Sequence, residues 1–183
     1  MKIDKQRRAF FMTGQVTKVN SDVHLPWLKN AEDFLDKCTQ CEACMQRCPE
    51  EIIKKGEGGY PTVDFSLGEC TFCRACTEHC PEDLFDTEQS VAWPLDLKVT
   101  DSCFTEKGIV CQSCRDACEP QAISFYYEAG EIPKPEINLS SCTSCGACVS
   151  SCPANAISLT RIDDSSIAIF EKPLSGKKEF TNG

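Results

Sequence analysis

The stretch CTQCEACMQRCP, residues 38–49, places four cysteines within eleven residues and follows the last of them with proline. The same spacing, C-x2-C-x2-C-x3-C-P, begins again at Cys70 and at Cys142. A further copy, CFTEKGIVCQSCRDACEP from Cys103, lengthens the first gap to seven residues and moves its proline one place on, to Pro120. All 16 cysteines of the chain belong to these four motifs, so whatever they bind organises the chain.

This density of cysteine is typical of either a disulfide scaffold or a metal protein. Disulfides persist in oxidising compartments and therefore predict a secretory signal. The longest apolar run near the N-terminus covers only residues 9–12, and the polar residues that follow Arg7 and Arg8 do not fit a twin-arginine export signal. No segment approaches the roughly 20 apolar residues of a membrane span. The sequence therefore predicts a cytoplasmic protein whose reduced cysteines bind metal.

The spacing of the cysteines favours iron–sulfur clusters over zinc. Three thiolates at two-residue intervals let a short loop cover one face of an iron–sulfur cube, and the fourth thiolate ligates the other cluster of a pair. Structural zinc sites instead use two cysteine pairs separated by a long gap. We therefore predict four [4Fe–4S] clusters, one for each motif.

Cross-ligation between neighbouring motifs assigns the ligands of each cluster. The predicted sets are Cys38, Cys41, Cys44 and Cys80 for cluster 1; Cys70, Cys73, Cys76 and Cys48 for cluster 2; Cys103, Cys111, Cys114 and Cys152 for cluster 3; and Cys142, Cys145, Cys148 and Cys118 for cluster 4. The pairing follows chain order. The alternative is that the second motif pairs with the third, across the linker at residues 90–99. The long gap between Cys103 and Cys111 makes the ligands of cluster 3 the least well specified of the four sets.

Short elements are predicted around the motifs. An apolar residue lies five places after each fourth cysteine, and we interpret it as the inner face of a short helix that begins at the proline. These residues are Ile53, Phe85, Ile123 and Ile157. Apolar and polar residues alternate along the segments 60–65 and 134–139, so we predict that each is a short strand. Trp27 and Trp93 are interpreted as packed aromatic residues rather than parts of an electron path, and His79 as an exposed side chain rather than a tuning residue.

Charge separates the N-terminal arm from the body. The chain carries a net charge of −9; residues 1–18 hold five basic residues and one acid, which leaves −13 for the remainder. A body this acidic argues against nucleic-acid binding. Arg7 and Arg8 are interpreted as a docking element for an acidic partner surface, with a solvated terminus as the alternative.

The motifs resemble those of bacterial two-cluster ferredoxins. The opening MKIDKQRRAFFMTG, the stretch GEGGYPTVDFSLGECTFC, the Ala92-Trp93 pair and the irregular motif ending CEPQAI are further similar to the NapF family, the ferredoxin-type accessory proteins of periplasmic nitrate reductase. This resemblance covers about residues 1–160. It implies a cytoplasmic protein with four-iron clusters that binds the catalytic subunit of nitrate reductase before export and helps that subunit's iron–sulfur cluster to mature.

We therefore predict an α+β protein made of two tandem bacterial-type dicluster ferredoxin domains with internal pseudo-twofold repeats. The predicted parts are a basic arm (1–30), a first domain (31–90), a linker (91–96), a second domain (97–160) and a tail (161–183). The sequence has no nucleophile–base pair, phosphate loop or pocket signature, so no enzymatic activity is predicted. The alternative function is a general electron carrier between a reductase or other ferredoxin and an oxidoreductase.

Overall fold

A computed structural model describes residues 23–93 and 95–161 of the chain. The chain divides into two compact units, one that ends at Gln89 and one that begins at Ser90. Arg7, Arg8 and the predicted tail beyond Arg161 lie outside the described residues.

The first unit combines short helices with one antiparallel strand pair. Its elements are α1 (Ala31–Lys37), α2 (Ala43–Arg47), β1 (Ile53–Lys55), β2 (Pro61–Val63) and α3 (Ala75–Glu78). β1 and β2 pair with Ile53 opposite Val63. Two single bridges, Val23 to Val63 and Leu28 to Phe85, tie the segment before α1 to the rest of the unit. Val23, Leu25 and Trp27 are buried, so this end of the predicted arm packs into the unit.

The described part of the second unit, which ends at Arg161, contains two antiparallel strand pairs. Its elements are β3 (Leu95–Val99), α4 (Ser113–Asp116), β4 (Ile123–Phe125), β5 (Pro135–Ile137), α5 (Ala147–Ser150) and β6 (Ile157–Arg161). β3 pairs with β6, and β4 pairs with β5. β3 begins at Leu95, inside the range 91–96 that was predicted to be a linker. Among the described helices of both units, none combines the length and apolar character needed to cross a bilayer.

The two units repeat one backbone arrangement. In each motif the residue four places after the fourth cysteine is buried, and its carbonyl accepts a hydrogen bond from a neighbouring extended segment. The four donor–acceptor pairs are Asp64 N to Ile52 O, Lys29 N to Leu84 O, Asn138 N to Ala122 O and Thr100 N to Ala156 O, at 2.8–3.0 Å. Small helices and sheets of this kind are compatible with the predicted α+β class; the pseudo-twofold relation remains a prediction.

The predicted strands at 60–65 and 134–139 are present as β2 and β5, but the prediction of a helix after each proline is wrong. Ile53, Ile123 and Ile157 begin strands, and Phe85 forms a single bridge. The reason is local. In three motifs the third residue after the fourth cysteine has positive φ: Glu51 at 53°, Gln121 at 53° and Asn155 at 46°. A right-handed helix cannot continue through a left-handed residue, so the chain leaves the proline without forming a helix.

Phe34 provides a test of the core of the first unit. Its side chain is 1% exposed and stacks near His24 and Tyr60, with ring centroids 5.7 and 6.0 Å away. We expect Phe34→Ala to lower the free energy of unfolding by about 3–5 kcal/mol, because it leaves a cavity among packed rings. The measurement is anaerobic denaturant unfolding of the protein with its iron retained.

Leu35 on the same helix supplies the matched control. Its side chain is 41% exposed, so Leu35→Ala should change the free energy of unfolding by no more than about 0.5 kcal/mol. Equal losses in the two variants would mean that Phe34 does not pack in the core as described.

Candidate metal centres

Each motif places its third cysteine on a short α-helix. These cysteines are Cys44 on α2, Cys76 on α3, Cys114 on α4 and Cys148 on α5. In three motifs the helix begins after a residue with positive φ: Glu42 at 64°, Arg74 at 61° and Gly146 at 89°. These helices of four or five residues end at or just before the fourth cysteine, so all four cysteines of a motif lie within a short reach of one another.

The loops of the three regular motifs share a left-handed backbone on both sides of the second cysteine. The residues that directly follow the second cysteine are the left-handed ones already named before the helices. The residues that directly precede it are left-handed as well: Gln40, Phe72 and Ser144, with φ of 56°, 54° and 58°. Residues other than glycine rarely adopt this conformation, and each instance costs free energy that the surrounding structure must offset. Turns of this kind form concave rows of N–H groups that favour anions, including iron–sulfur centres.

The third motif departs from this pattern. Gln112, between its second and third cysteines, has φ −136° rather than a positive value. The long gap folds into a 3-10 turn, Thr105–Lys107, which ends at Gly108 with φ 79°. The gap is therefore an ordered turn placed between Cys103 and Cys111.

The four cysteines predicted for cluster 1 line one hollow in the first unit. Cys38, Cys41 and Cys44 come from the first motif and Cys80 from the second. About 370 Å³ of space, partly open to solvent, lies between them. The rest of the wall is largely apolar and includes Leu25, Phe34, Leu84 and Phe85.

The cysteines predicted for cluster 3 line an equivalent hollow in the second unit. Cys103, Cys111 and Cys114 line this hollow together with Cys152 of the fourth motif, and its space of about 340 Å³ is partly open to solvent. The apolar part of the wall includes Val99, Phe104, Phe125 and Ile157. The lengthened gap therefore still brings Cys103 to the same hollow as the other three.

The pKa values of the cysteines in the other two sets indicate that these cysteines also lie close together. Burial raises the pKa of Cys76 to about 12, and the next causes are the thiolates of Cys70, Cys73, Cys44 and Cys48. Burial likewise raises the pKa of Cys148 to about 12, followed by the thiolates of Cys142, Cys145, Cys114 and Cys118. In each case three of the four neighbours belong to the predicted set, and the fourth belongs to the adjacent set of the same unit.

The raised pKa values define what the hollows can hold. Burial also raises the pKa of Cys44 and of Cys114 to about 11, from the ordinary value of 9.0. A buried thiolate is therefore unfavourable by itself, and a metal that requires the deprotonated ligand supplies the missing positive charge. Within the described residues, no three cysteine, histidine or carboxylate side chains are grouped to hold a single metal ion. Four thiols spread around a hollow suit a cube with four iron corners better than one zinc ion, whose ligands lie about 2.3 Å from it.

Several cysteine sulfurs also receive hydrogen bonds. The backbone N–H of Ala122 donates to Cys118 Sγ at 3.2 Å, and that of Ala156 donates to Cys152 Sγ at 3.3 Å. The hydroxyl of Thr105 lies 3.2 Å from Cys103 Sγ. Such contacts to cluster ligands are among the factors that set reduction potentials.

The supports around the second motif were not identified from the sequence. Trp27 is 3% exposed, and its ring makes an edge contact with Phe72 at 6.3 Å. The guanidinium of Arg74 lies 4.6 Å from the centroid of the Trp27 ring and donates to the carbonyls of Thr87 and Gln89. A cation–π contact of this kind adds about 0.5–2 kcal/mol. Phe72 and Arg74 flank Cys73, so Trp27 fixes the loop that holds this cysteine.

Trp93 supports the fourth motif in a comparable way. Its indole N–H donates to the carbonyl of Ser144 at 3.3 Å, and Ser144 occupies the place in its motif that Phe72 occupies in the second. Both tryptophans are therefore packed, as predicted, but against cysteine loops. Each precedes the first cysteine of its unit by ten or eleven residues, a signal that the sequence contains. His79 is exposed as predicted, and its Nδ1 lies 2.9 Å from the carbonyl oxygen of Ala75.

Comparison with known proteins identifies the family. Two profiles, each described as a 4Fe-4S dicluster domain, match residues 32–89 and 107–156. The ferredoxin-type protein NapF of Escherichia coli K12 is 41% identical over 157 residues, which cover 86% of this chain and 95% of that protein. NapF of Haemophilus influenzae Rd is 40% identical over 134 residues, which cover 73% of this chain and 76% of that protein.

The chain belongs to the NapF family of ferredoxin-type proteins. Two tandem dicluster domains imply [4Fe–4S] clusters, and ferredoxin-type iron–sulfur proteins are generally electron carriers. The second profile begins at residue 107, after Cys103, so the long gap of the third motif marks the place where this NapF-family chain departs from the general dicluster pattern.

Removal of iron tests how far the metal centres hold the fold together. Once a NapF-family chain loses its clusters, the enclosed thiols become protonated at neutral pH and the free energy of metal binding no longer stabilises the fold. We expect the emission maximum of Trp27 and Trp93 to shift to longer wavelength as both cysteine loops open. The measurement is anaerobic tryptophan fluorescence, recorded as a chelator removes the iron and followed together with the cluster absorbance.

Proposed function

We propose that the chain is a cytoplasmic polyferredoxin whose 16 cysteines hold four [4Fe–4S] clusters in the cross-ligated sets given above. It binds the catalytic subunit of periplasmic nitrate reductase before export and assists the maturation of that subunit's iron–sulfur cluster. The observation that carries this proposal is membership of the NapF family, with high identity along most of both chains. The convergence of predicted ligands from two motifs on one hollow supports the ligand sets.

The surface of the described residues is suited to exchange with a protein partner. Cys41 and Cys73, the second cysteines of the first two motifs, are exposed, whereas Cys76 and Cys148 are buried. A cluster held by an exposed cysteine has one edge near solvent, where electrons or cluster components pass to a docked protein without a channel. The basic arm offers a separate contact for an acidic partner surface, because opposite potentials speed encounter.

A general electron carrier is the second candidate function. The same exposed cysteines favour it, since they would serve any reductase, ferredoxin or oxidoreductase that docks at the first unit. The two functions differ in which form of the partner is recognised. A maturation protein prefers the cluster-free catalytic subunit, whereas a carrier acts on a mature enzyme.

Binding to the two forms of the catalytic subunit distinguishes the functions. We expect the iron-loaded chain to bind the immature, cluster-free nitrate reductase subunit at least tenfold more tightly than the mature subunit. The measurement is anaerobic calorimetry or biolayer interferometry with each form. Binding to the mature form alone, or to neither, would contradict the maturation function and leave the carrier function.

Arg7 and Arg8 are tested in the same assay. Replacing both with glutamate reverses the local charge, so we expect weaker capture of the immature subunit with no change in iron content. The matched control is Lys177→Glu with Lys178→Glu, which reverses the charge of another basic pair in the C-terminal tail. Undiminished capture by the Arg7 and Arg8 variant would mean that this pair does not dock the partner.

Paired substitutions test the ligand sets. Full occupancy predicts about 16 iron atoms per chain. Cys38→Ser with Cys80→Ser removes two ligands of one predicted cluster, so about 12 iron atoms should remain. Cys70→Ser with Cys80→Ser removes one ligand from each of two predicted clusters, so about 8 should remain. The opposite result, with about 8 iron atoms in the Cys38 and Cys80 variant and about 12 in the Cys70 and Cys80 variant, would show that each motif holds its own cluster with all four of its cysteines.

A further inference from the structure

The lengthened gap of the third motif brings a buried hydroxyl to a cysteine sulfur. Thr105 begins the 3-10 turn Thr105–Lys107, and its side chain is 4% exposed. Its Oγ1 lies 3.2 Å from Sγ of Cys103, within the usual range for a hydrogen bond to sulfur. Thr105 is thus one of the few buried polar residues described in either unit, and Cys103 Sγ lies within its hydrogen-bonding reach.

The regular motifs place their threonines differently. In each of them a threonine directly follows the first cysteine, and all three of these side chains are exposed: Thr39, Thr71 and Thr143. In the third motif, phenylalanine follows the first cysteine and threonine comes one place later. The third motif therefore has a threonine, Thr105, beside the sulfur of Cys103, whereas the corresponding threonines of the regular motifs lie at the surface.

We propose that Thr105 donates a hydrogen bond to the iron-bound thiolate of Cys103 and thereby raises the reduction potential of cluster 3. This inference rests on the ligand set proposed above, in which Cys103 belongs to that cluster. An iron-bound thiolate carries no proton, so its sulfur can only accept, and the hydroxyl must be the donor. Between a neutral thiol and a hydroxyl, either group could be the donor. Binding of the sulfur to iron therefore fixes the direction of the hydrogen bond.

The expected sign follows from charge. Reduction adds an electron to the cluster and part of that charge reaches the ligand sulfurs, so a hydrogen bond to sulfur is stronger in the reduced state. Stabilising the reduced state raises the potential. The bond is shielded from water because Thr105 is buried, and a low local dielectric strengthens it.

The consequence is a change in how an electron is distributed within the chain. A raised potential at cluster 3 increases the fraction of electrons that reside on this cluster, relative to a chain without the hydroxyl. Thr105 is therefore a positioning residue that acts through Cys103. Ser113 lies near Cys111 Sγ at the longer distance of 3.6 Å, and the proposal does not depend on it.

The experiment is a potentiometric titration of the full-length, iron-loaded chain followed by EPR. Cys103→Ser first identifies which of the observed couples belongs to cluster 3. We expect Thr105→Val, which keeps the shape and removes the donor, to lower the potential of that couple alone. Thr105→Ser should restore it, and Thr87→Val, at an exposed threonine outside the four motifs, should leave every couple unchanged.

A second measurement uses the wild-type chain. Pulsed ENDOR before and after exchange into D2O should detect exchangeable protons coupled to cluster 3. The N–H of Ala156, which donates to Cys152 Sγ at 3.3 Å, contributes to this signal in every variant. The coupling from Thr105 is therefore the part of the signal that should be lost in Thr105→Val and kept in Thr105→Ser. Thr105→Ala, which also lacks the hydroxyl, gives the same comparison if the valine variant loses cluster 3.

The outcomes separate this inference from the proposed ligand set. If Cys103→Ser leaves the iron content and every couple unchanged, the assignment of Cys103 as a ligand fails. If Cys103→Ser removes one couple but Thr105→Val leaves its potential unshifted, the ligand set stands and the role of Thr105 is overturned. Exchangeable-proton couplings that are the same in the wild-type chain and in the variants without the Thr105 hydroxyl overturn it as well.

Discussion

Gathering four thiols around one hollow is the constraint on which the rest of the structure depends. Burial, followed by the charge of neighbouring thiolates, raises the pKa of the most enclosed cysteines to about 11 or 12, so the charged ligands that a cluster requires are unfavourable until metal is present. The chain meets this constraint with left-handed loops, very short helices and apolar walls that keep the thiols together. The strand pairs, the tryptophans and the Arg74 contacts hold these loops in position.

The grouping of the cysteines followed from the sequence more completely than the elements around them. Their spacing led to the proposed ligand sets, and one hollow is lined by Cys38 together with Cys80 and another by Cys103 together with Cys152, which is compatible with those sets. The elements after each proline were predicted wrongly, because a single apolar residue at a fixed offset has no period that separates helix from strand. Ile53 and Ile157 are buried, as an apolar residue would be on the inner face of either a helix or a strand. Their apolar character therefore did not distinguish the two kinds of element.

Other features depend on tertiary contacts that a linear pattern does not encode. Thr105 becomes a sulfur neighbour only because the long gap folds into a 3-10 turn. Trp27 and Trp93 lie far along the chain from Phe72 and Ser144, and only the folded units bring them into contact. Their similar distance from the first cysteine of each unit is a repeat signal that becomes visible once the cysteine motifs are aligned with each other.

The shared hollows also set an order of events during synthesis on the ribosome. The hollow that contains Cys38 lacks its fourth thiol until Cys80 has been translated, so the first motif alone presents an incomplete site. Once residue 89 has emerged, every cysteine of the first unit is present while the second unit is still being made. Each half can therefore close around its metal separately, and an interruption of translation between them would leave a finished first half rather than two unfinished ones.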